Sequence, residues 1–275
     1  MSFLTDMIER RRADVERRFG VLAAADLERL ACCARPVRDF RAALTARADV
    51  AVIAEVKKAS PSAGPIAPDI EASTQALHYQ EGGAAAISVL TEPSGFGGSF
   101  TDLSDVADAV DVPVLCKDFV VDPVQLFAAR GHGADAILLM VSVLGEEVGS
   151  YLDTASTLGL TGLVEVHDED ELAVALGAGA TVVGVNGRDL RDLSIDRVRA
   201  LAVVRLASEA GVTVVAESGV RARADVARSA EAGADAVLVG ETLMRAGFPE
   251  DVVSELTGVA KARSGGAAVK GGRQG

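Results

Sequence analysis

Eight short apolar segments recur along the chain, and each of them ends in polar residues or glycine. Their starts lie 19 to 34 residues apart, and each gap holds a stretch with Ala, Leu and charged residues at helical spacing. Almost continuously apolar strands that alternate with helices are typical of a parallel sheet covered on both faces. The eight predicted strands are 50–57, 84–91, 112–119, 134–142, 161–167, 180–186, 212–218 and 234–240.

This alternation predicts an α/β fold, the (β/α)8 or TIM barrel, because eight such units in roughly 200–250 residues match its size. An internal repeat supports the prediction, since Gly-Ala-Asp-Ala occurs at 133–136 and again at 233–236, before predicted strands four and eight. In such a segment glycine ends a helix and the chain turns into a buried strand. An open doubly wound sheet is the alternative, although no GxGxxG motif follows the first strand.

The predicted barrel occupies residues 50–260 and is flanked by two segments of different character. Residues 1–49 form a predicted N-terminal helical extension, because Leu4, Met7, Ile8 and Val15 have the spacing of an amphipathic helix that packs on the barrel. Residues 261–275 are rich in Gly and polar residues, so we expect a disordered tail there.

Composition narrows the class of function. The formal net charge of the 275 residues is −13, which argues against a nucleic-acid-binding protein but allows a small anionic substrate. Three cysteines and three histidines without metal-ligand spacing predict a reduced protein with no metal site. No apolar run approaches a membrane span, so we expect a cytoplasmic protein without a membrane partner. The sequence leaves the oligomeric state open and is compatible with a monomer.

Charged and polar residues stand at the ends of the predicted strands. Glu55 and Lys57 are two residues apart and therefore point to the same side of a strand, which fits a barrel interior, and Lys117 and Phe119 repeat this spacing. Buried charges are costly unless they are paired or bind a ligand. Two lysines and two glutamates, including Glu165, at one mouth would perturb each other's pKa values and could supply an acid and a base.

A phosphate site is predicted at the same mouth. Loops after strands seven and eight form the usual phosphate site of such barrels, and here they contain Ser218-Gly219 and Gly240-Glu241. Glycine lets backbone N–H groups approach a phosphate. Ser60, in the Ser/Pro/Gly-rich loop after strand one, could add a hydroxyl.

The strand-end motifs together resemble one enzyme family. EVKKASPS, SVLTE followed by FGGS, LCKDF, LVEVH, GVNGRDL, AESGV and VLVGETLM occur in the order known for indole-3-glycerol-phosphate synthases and cover residues 50–245. The family's N-terminal helical segment matches residues 1–49. One departure is Asn186-Gly187-Arg188, where many members have Asn-Asn-Arg.

The resemblance implies a reaction and a set of catalytic residues. The family converts 1-(2-carboxyphenylamino)-1-deoxyribulose 5-phosphate into indole-3-glycerol phosphate, with loss of carbon dioxide and water and without a cofactor or metal. Lys117 would then be the general acid at the ring-closing carbon, and Glu165 would transfer protons during dehydration. Lys57 would bind the substrate carboxylate and help the proton transfers. Glu55 would keep the lysines charged and in position. Asn186 would contact substrate hydroxyls, and Ser218 would assist near the ribulose.

The same resemblance implies the substrate-binding residues. Ser60, Gly219, Gly240 and the backbone N–H of Glu241 would hold the phosphate, and Phe119 would pack on the anthranilate ring. Arg188 would contact substrate hydroxyls together with Asn186. Two other functions stay open at this point, a lysine Schiff-base aldolase that uses Lys117 and a non-catalytic barrel that only binds.

Four further residues have simpler interpretations. Glu217 is expected to support the site, and Cys116 to be a buried small residue in the helix layer. His167 is expected to have a polar role in a loop. Lys58 points away from Lys57 and is expected to be solvated or to anchor the loop.

Overall fold

The computed structural model describes residues 3–21, 24–189 and 193–262. Eight parallel strands form a closed barrel in which each strand pairs with the next in chain order and the last pairs with the first. This confirms the predicted fold class. The strands are β1 Ala51–Val56, β2 Ala86–Leu90, β3 Val114–Lys117, β4 Ala136–Met140, β5 Thr161–Val166, β6 Val182–Asn186, β7 Thr213–Glu217 and β8 Ala236–Val239.

Helices precede the barrel, connect its strands and follow the last strand. The helices are α1 Phe3–Phe19, α2 Ala24–Cys32, α3 Phe40–Thr45, α4 Ala72–Glu81, α5 Pro93–Phe96, α6 Phe100–Ala109, α7 Val124–Gly131, α8 Val141–Leu144, α9 Val148–Thr157, α10 Glu169–Gly177, α11 Arg197–Glu209, α12 Arg223–Ala232, α13 Glu241–Met244 and α14 Pro249–Leu256. The loop expected after β1 contains a small antiparallel hairpin, in which Ala59–Ser60 pairs with Gly64–Pro65. No helix in the described part of the chain is long and apolar enough to cross a membrane.

Alternate strand residues build two separate apolar layers. Val52 and Ile87 belong to the layer between the barrel and its helices, whereas Ile53, Leu115 and Leu163 fill the barrel interior. Both sets are buried, which explains why the strand segments are apolar over nearly their whole length. An eight-stranded barrel has an interior that side chains can just fill, so aliphatic residues suffice and few aromatic residues are needed.

The N-terminal extension contacts both ends of the barrel. At the end where the strands begin, Phe40 and Leu44 of α3 are fully buried against the inward-facing residues of the strands. At the opposite end Leu4 and Met7 of α1 are buried in the same apolar cluster as Phe119. The predicted amphipathic helix is therefore present, and it packs beside the strand ends that carry the charged residues.

The Gly-Ala-Asp-Ala repeat has a structural explanation. Gly133 and Gly233 adopt left-handed backbone conformations with φ of 86° and 99°, which end α7 and α12. The carboxylates two residues later, Asp135 and Asp235, accept the backbone N–H groups of Val114 and Val214, at 2.8 and 3.0 Å. Each aspartate therefore ties its own strand start to that of a neighbouring strand.

The C-terminal segment is described only at its beginning. Lys261 donates its backbone N–H to the carbonyl of Ala48, and its Nζ donates to the carbonyl of Leu44 at 2.8 Å. The expected disordered tail begins at this residue, and from residue 263 onward it lies outside the described residues.

Candidate active site

A cavity of about 540 Å³ opens at the ends of the barrel strands. Every site residue predicted from the sequence lies on its wall, although these residues come from six of the eight strand ends and the loops after them. Barrel closure is what brings them together. These residues are Glu55, Lys57, Ser60, Lys117, Phe119, Glu165, Asn186, Arg188, Ser218, Gly219, Gly240 and Glu241.

Lys117 at the end of β3 lies between two carboxylates from the other side of the barrel. Its Nζ is 3.2 Å from Oε2 of Glu165 on β5 and 3.3 Å from Oε2 of Glu217 on β7. Both carboxylates are almost completely buried. Sequence reasoning gave Glu217 only a supporting role, yet it contacts the same amine as Glu165. The position of Glu217 at the end of a predicted strand indicated that it could lie at the site. Nothing in the sequence indicated that it contacts Lys117.

The three groups shift each other's pKa values. Burial alone would lower the pKa of Lys117, but Glu217, Glu165 and Glu55 raise it above its usual value. Burial alone would raise the pKa of Glu165, but Lys117 and His167 hold it below its usual value. Burial raises the pKa of Glu217 to about 7, with the charge of Glu165 acting in the same direction and Lys117 in the opposite one. At neutral pH the cluster therefore holds an ammonium, a carboxylate and, at Glu217, a carboxyl group that is partly protonated.

Glu55 on β1 and Lys57, just after that strand, form a second ion pair. Their Nζ and Oε1 atoms are 2.7 Å apart. The glycine at the end of β8 leaves room for this pair, because a Cβ atom at Gly240 would lie 2.4 Å from Oε1 of Glu55 and 2.8 Å from Nζ of Lys57. Gly240 was predicted for phosphate binding, and the packing adds this second requirement for a residue without a side chain.

Asn186 is fixed by its neighbours at the end of β6. Its Oδ1 accepts the hydroxyl of Ser218 at 2.7 Å and the backbone N–H of Arg188 at 3.0 Å. With the oxygen occupied in this way, the amide group is oriented, and it helps to keep the pKa of Glu165 low. The guanidinium of Arg188 donates to the carbonyl of Leu193 at 3.0 Å and so holds its own loop together.

The predicted phosphate-binding residues follow three neighbouring strands, β7, β8 and β1, and line the cavity. Ser218 and Gly219 both have positive φ, at 64° and 85°, so the chain turns sharply after β7. Glu241 begins the short helix α13, and Ser60 lies in the hairpin after β1. Two cations that sequence reasoning missed, Arg221 and Arg245, line the same cavity. Both arginines could have been found from the sequence, because each lies within a few residues of one of the two predicted phosphate loops.

Aromatic and aliphatic residues form another wall. The rings of Phe119 and Phe96 lie with their centroids 6.2 Å apart and their planes inclined by 48°. Leu138, Met140 and Leu238 line the same cavity from the barrel interior. The site therefore combines buried charges with an apolar surface that suits an aromatic ring.

Residues behind the site anchor it. Lys58 pairs with Asp102 at 2.6 Å and so ties the first loop to α6. Of the two roles expected for Lys58, this is the anchoring of the loop. Cys116 is buried in the helix layer, where burial raises the pKa of its thiol to about 12. Among the described residues, no group of three or more His, Cys, Asp or Glu side chains could hold a metal ion.

Comparisons with known proteins agree with this geometry. The family model for indole-3-glycerol phosphate synthase matches residues 4–256. The chain belongs to this family. Relatives include indole-3-glycerol phosphate synthase 1 of Streptomyces coelicolor, 48% identical over 93% of this chain and 95% of the relative, and the synthase of Mycobacteroides abscessus, 48% identical over 92% and 93%.

Membership confirms the family and the enzyme class that the strand-end motifs suggested. The match begins at residue 4, so it includes the N-terminal helices as well as the barrel. A solved structure of thiamine phosphate pyrophosphorylase from Pyrococcus furiosus also matches, with a TM-score of 0.59 and 17% identity, over 79% of this chain and 96% of that one. That likeness concerns the barrel fold alone.

Proposed function

We propose that this chain closes the indole ring of 1-(2-carboxyphenylamino)-1-deoxyribulose 5-phosphate, with loss of carbon dioxide and water, in tryptophan biosynthesis. The observation that carries the proposal is the position of Lys117 between Glu165 and Glu217 on the wall of a cavity that has phosphate-type loops and an aromatic wall. Membership of the synthase family supports it independently.

Lys117 is the proposed acid of the ring-closing step. When an aromatic carbon attacks the substrate carbonyl, negative charge develops on the carbonyl oxygen, and a fixed ammonium stabilises and then protonates it. The neighbouring carboxylates keep Lys117 protonated for this step. The carboxylate then leaves as carbon dioxide, and its electron pair flows into the iminium that ring closure has formed. Lys57, already paired with Glu55, is placed to bind that carboxylate beforehand.

Glu165 is the proposed base of the later dehydration. It is held as a carboxylate beside Lys117, so an acid and a base stand next to each other at the reacting atoms. Glu217 contacts the same amine, and its pKa near 7 lets it return a proton to Lys117 between steps. We therefore add Glu217 to the catalytic residues proposed from the sequence, with Asn186 and Ser218 as supports of Glu165.

The two ends of the substrate have separate proposed sites. The phosphate binds between the loops after β7 and β8 and the first hairpin, where Arg221 and Arg245 add positive charge. The anthranilate ring packs on Phe119 and its apolar neighbours. The cytoplasmic location stays a prediction.

Substitution of Lys117 tests the proposal directly. We expect Lys117→Ala to abolish turnover, followed through the fluorescence of the indole product, while substrate binding largely survives, because the lysine acts on charge that develops in the transition state. Lys261→Ala is a matched control, since it also removes a lysine paired with a carboxylate, Asp235, but at the far end of the barrel. Near-normal turnover in Lys117→Ala would overturn the assignment.

The Schiff-base alternative needs a neutral amine, whereas the carboxylates around Lys117 keep it charged. Borohydride treatment in the presence of a keto-sugar phosphate separates the two reactions. We expect no covalent adduct on Lys117, and a trapped adduct would favour the aldolase.

A further inference from the structure

His167, immediately after β5, lies beside the proposed base Glu165. Its side chain is only 12% exposed, and its Nε2 atom is 3.6 Å from Oε1 of Glu165. Its Nδ1 atom is 3.0 Å from Oε2 of Glu171, in the first turn of α10. The same carboxylate oxygen accepts the backbone N–H of His167 at 2.8 Å. The ring is therefore fixed on one side by Glu171 and faces Glu165 on the other, which is more than the polar loop role expected from the sequence.

Two buried atoms in this arrangement lack a hydrogen-bond partner among the described residues. They are Oε1 of Glu165 and Nε2 of His167, and they face each other. Leaving both unsatisfied is costly in a buried site. When Nδ1–H donates to Glu171, Nε2 carries a hydrogen only in the imidazolium form. Protonated His167 would satisfy both atoms after a small rotation, whereas neutral His167 in this tautomer would leave two acceptors facing each other.

We propose that His167 is a positioning residue whose imidazolium, fixed by Glu171, keeps Glu165 ionised and directs its second carboxylate oxygen to Lys117. This inference rests on the proposed role of Glu165 as the base. The arrangement divides the two oxygens of Glu165 between two cations, with Oε2 on Lys117 and Oε1 beside His167. His167 itself is absent from the cavity wall, so it acts through Glu165 and does not touch the substrate.

The surrounding charges favour the imidazolium. Glu165 faces His167 from β5, Glu171 from α10, and Asp189 from the loop after β6, and all three are acidic. Among the cations, Lys117 contacts the other oxygen of Glu165, and Arg199 pairs with Asp168, the residue after His167. Burial alone would lower the pKa of His167, but the hydrogen bond to Glu171 and the acidic neighbours raise it above its usual value. His167 is therefore charged through the whole acidic range in which Glu165 titrates.

Removing the imidazolium of His167 should raise the pKa of Glu165. An opposite charge at this distance lowers a carboxyl pKa by about one unit or more. Without it the pKa of Glu165 rises, and the acidic limb of the pH profile of kcat/KM moves to higher pH by about one unit. On that limb kcat/KM falls about tenfold, while the plateau changes little. Glu217 contacts Lys117 and not His167, so the substitution reaches its titration only indirectly, through the charge of Glu165.

The test compares His167→Asn with the wild-type protein across pH. Asparagine can still donate a hydrogen bond towards Glu171 but carries no charge. His78→Asn is the control, because His78 is a half-exposed histidine on α4, outside the site, that also lies near two glutamates. We expect the limb to shift only in His167→Asn. An unshifted limb, or an equal loss of rate at every pH, overturns the inference. If the wild-type protein itself makes no indole product, the proposed function fails instead.

A second measurement does not depend on turnover. Proton NMR titration of the imidazole resonances gives the pKa of His167, whose signal is identified by its loss in His167→Asn. We expect a value above the usual 6.5 or so and a lower value in Glu165→Gln, because the interaction acts equally on both partners. An unchanged value in Glu165→Gln overturns the inference. Should His167→Asn fail to fold, Glu171→Gln replaces it, with a smaller shift of the limb in the same direction.

Discussion

Replacing Gly184 by alanine should disturb the active site from inside the barrel wall. Gly184 lies on β6, and its missing side chain leaves the space that the carboxylate of Glu217 occupies. A Cβ atom built at Gly184 would be 2.1 Å from Oε1 of Glu217, 3.2 Å from its Cδ and 3.4 Å from Cδ1 of Leu163. The clash is therefore almost entirely with the carboxylate that contacts Lys117.

The size of the effect follows from these distances. Real Cβ atoms essentially never approach a heavy atom within 3.0 Å, so the carboxylate must withdraw by about 1 Å. Its present distance to Nζ of Lys117 is 3.3 Å, so a movement of that size alters the contact substantially. Misplacement by about 1 Å can cost roughly a hundredfold in rate. Overpacking of a buried site costs about 1–3 kcal/mol of stability.

Two assays separate these effects. We expect Gly184→Ala to lower kcat by one to two orders of magnitude while urea denaturation shows a loss of about 1–3 kcal/mol in the free energy of unfolding. Gly177→Ala is the matched control, because a Cβ atom at Gly177 would meet nothing within 4 Å. If Gly184→Ala is folded and turns over at the wild-type rate, the position of Glu217 does not matter, and the reasoning about the cluster is refuted.

Two further substitutions test other parts of the structure. Glu165→Gln should slow the late dehydration, so that rapid-quench sampling finds an intermediate after ring closure, and an unchanged rate without such an intermediate would count against its role. Arg11→Met should lower the free energy of unfolding in urea by about 3–5 kcal/mol, because Arg11 is fully buried between Asp14 and Asp118 and its loss leaves the buried carboxylate of Asp118 without its cation. Arg17→Met, which removes an exposed partner of the same Asp14, should cost less than about 1 kcal/mol, and an equal loss in both variants would contradict this account.

The order of strands and the ends that carry chemistry could be predicted because both depend on local pattern. The predicted strand 50–57 contains β1, Ala51–Val56, and the other seven segments likewise contain one barrel strand each. The two-residue spacing of Glu55 and Lys57 correctly placed them on one side of the strand. Most predicted segments begin one or two residues before the strand, and several also extend past its end, where residues such as Lys57 have already left the hydrogen-bonded ladder.

Pairings across the barrel could not be predicted in the same way. Lys117 and Glu217 are 100 residues apart in the chain, and a pattern along one strand contains no information about the opposite strand. Arg11 shows the same limit, since the sequence suggested a helix face of apolar residues but not that an arginine on it would be buried against Asp118. His167 was placed in a loop, and only the packing of α10 against β5 shows that it lies between two glutamates.

The sequence by itself determined the barrel, its strand ends and the family, because strand periodicity, helix-ending glycines and motif order are properties of short segments. Tertiary structure decided which charges meet, which glycines must lack a side chain and which carboxylates are ionised. These features depend on distances of a few ångströms between distant segments, and on how far closure of the barrel removes each group from water. Gly184 illustrates the division, since only the folded barrel shows that its place is filled by the carboxylate of Glu217.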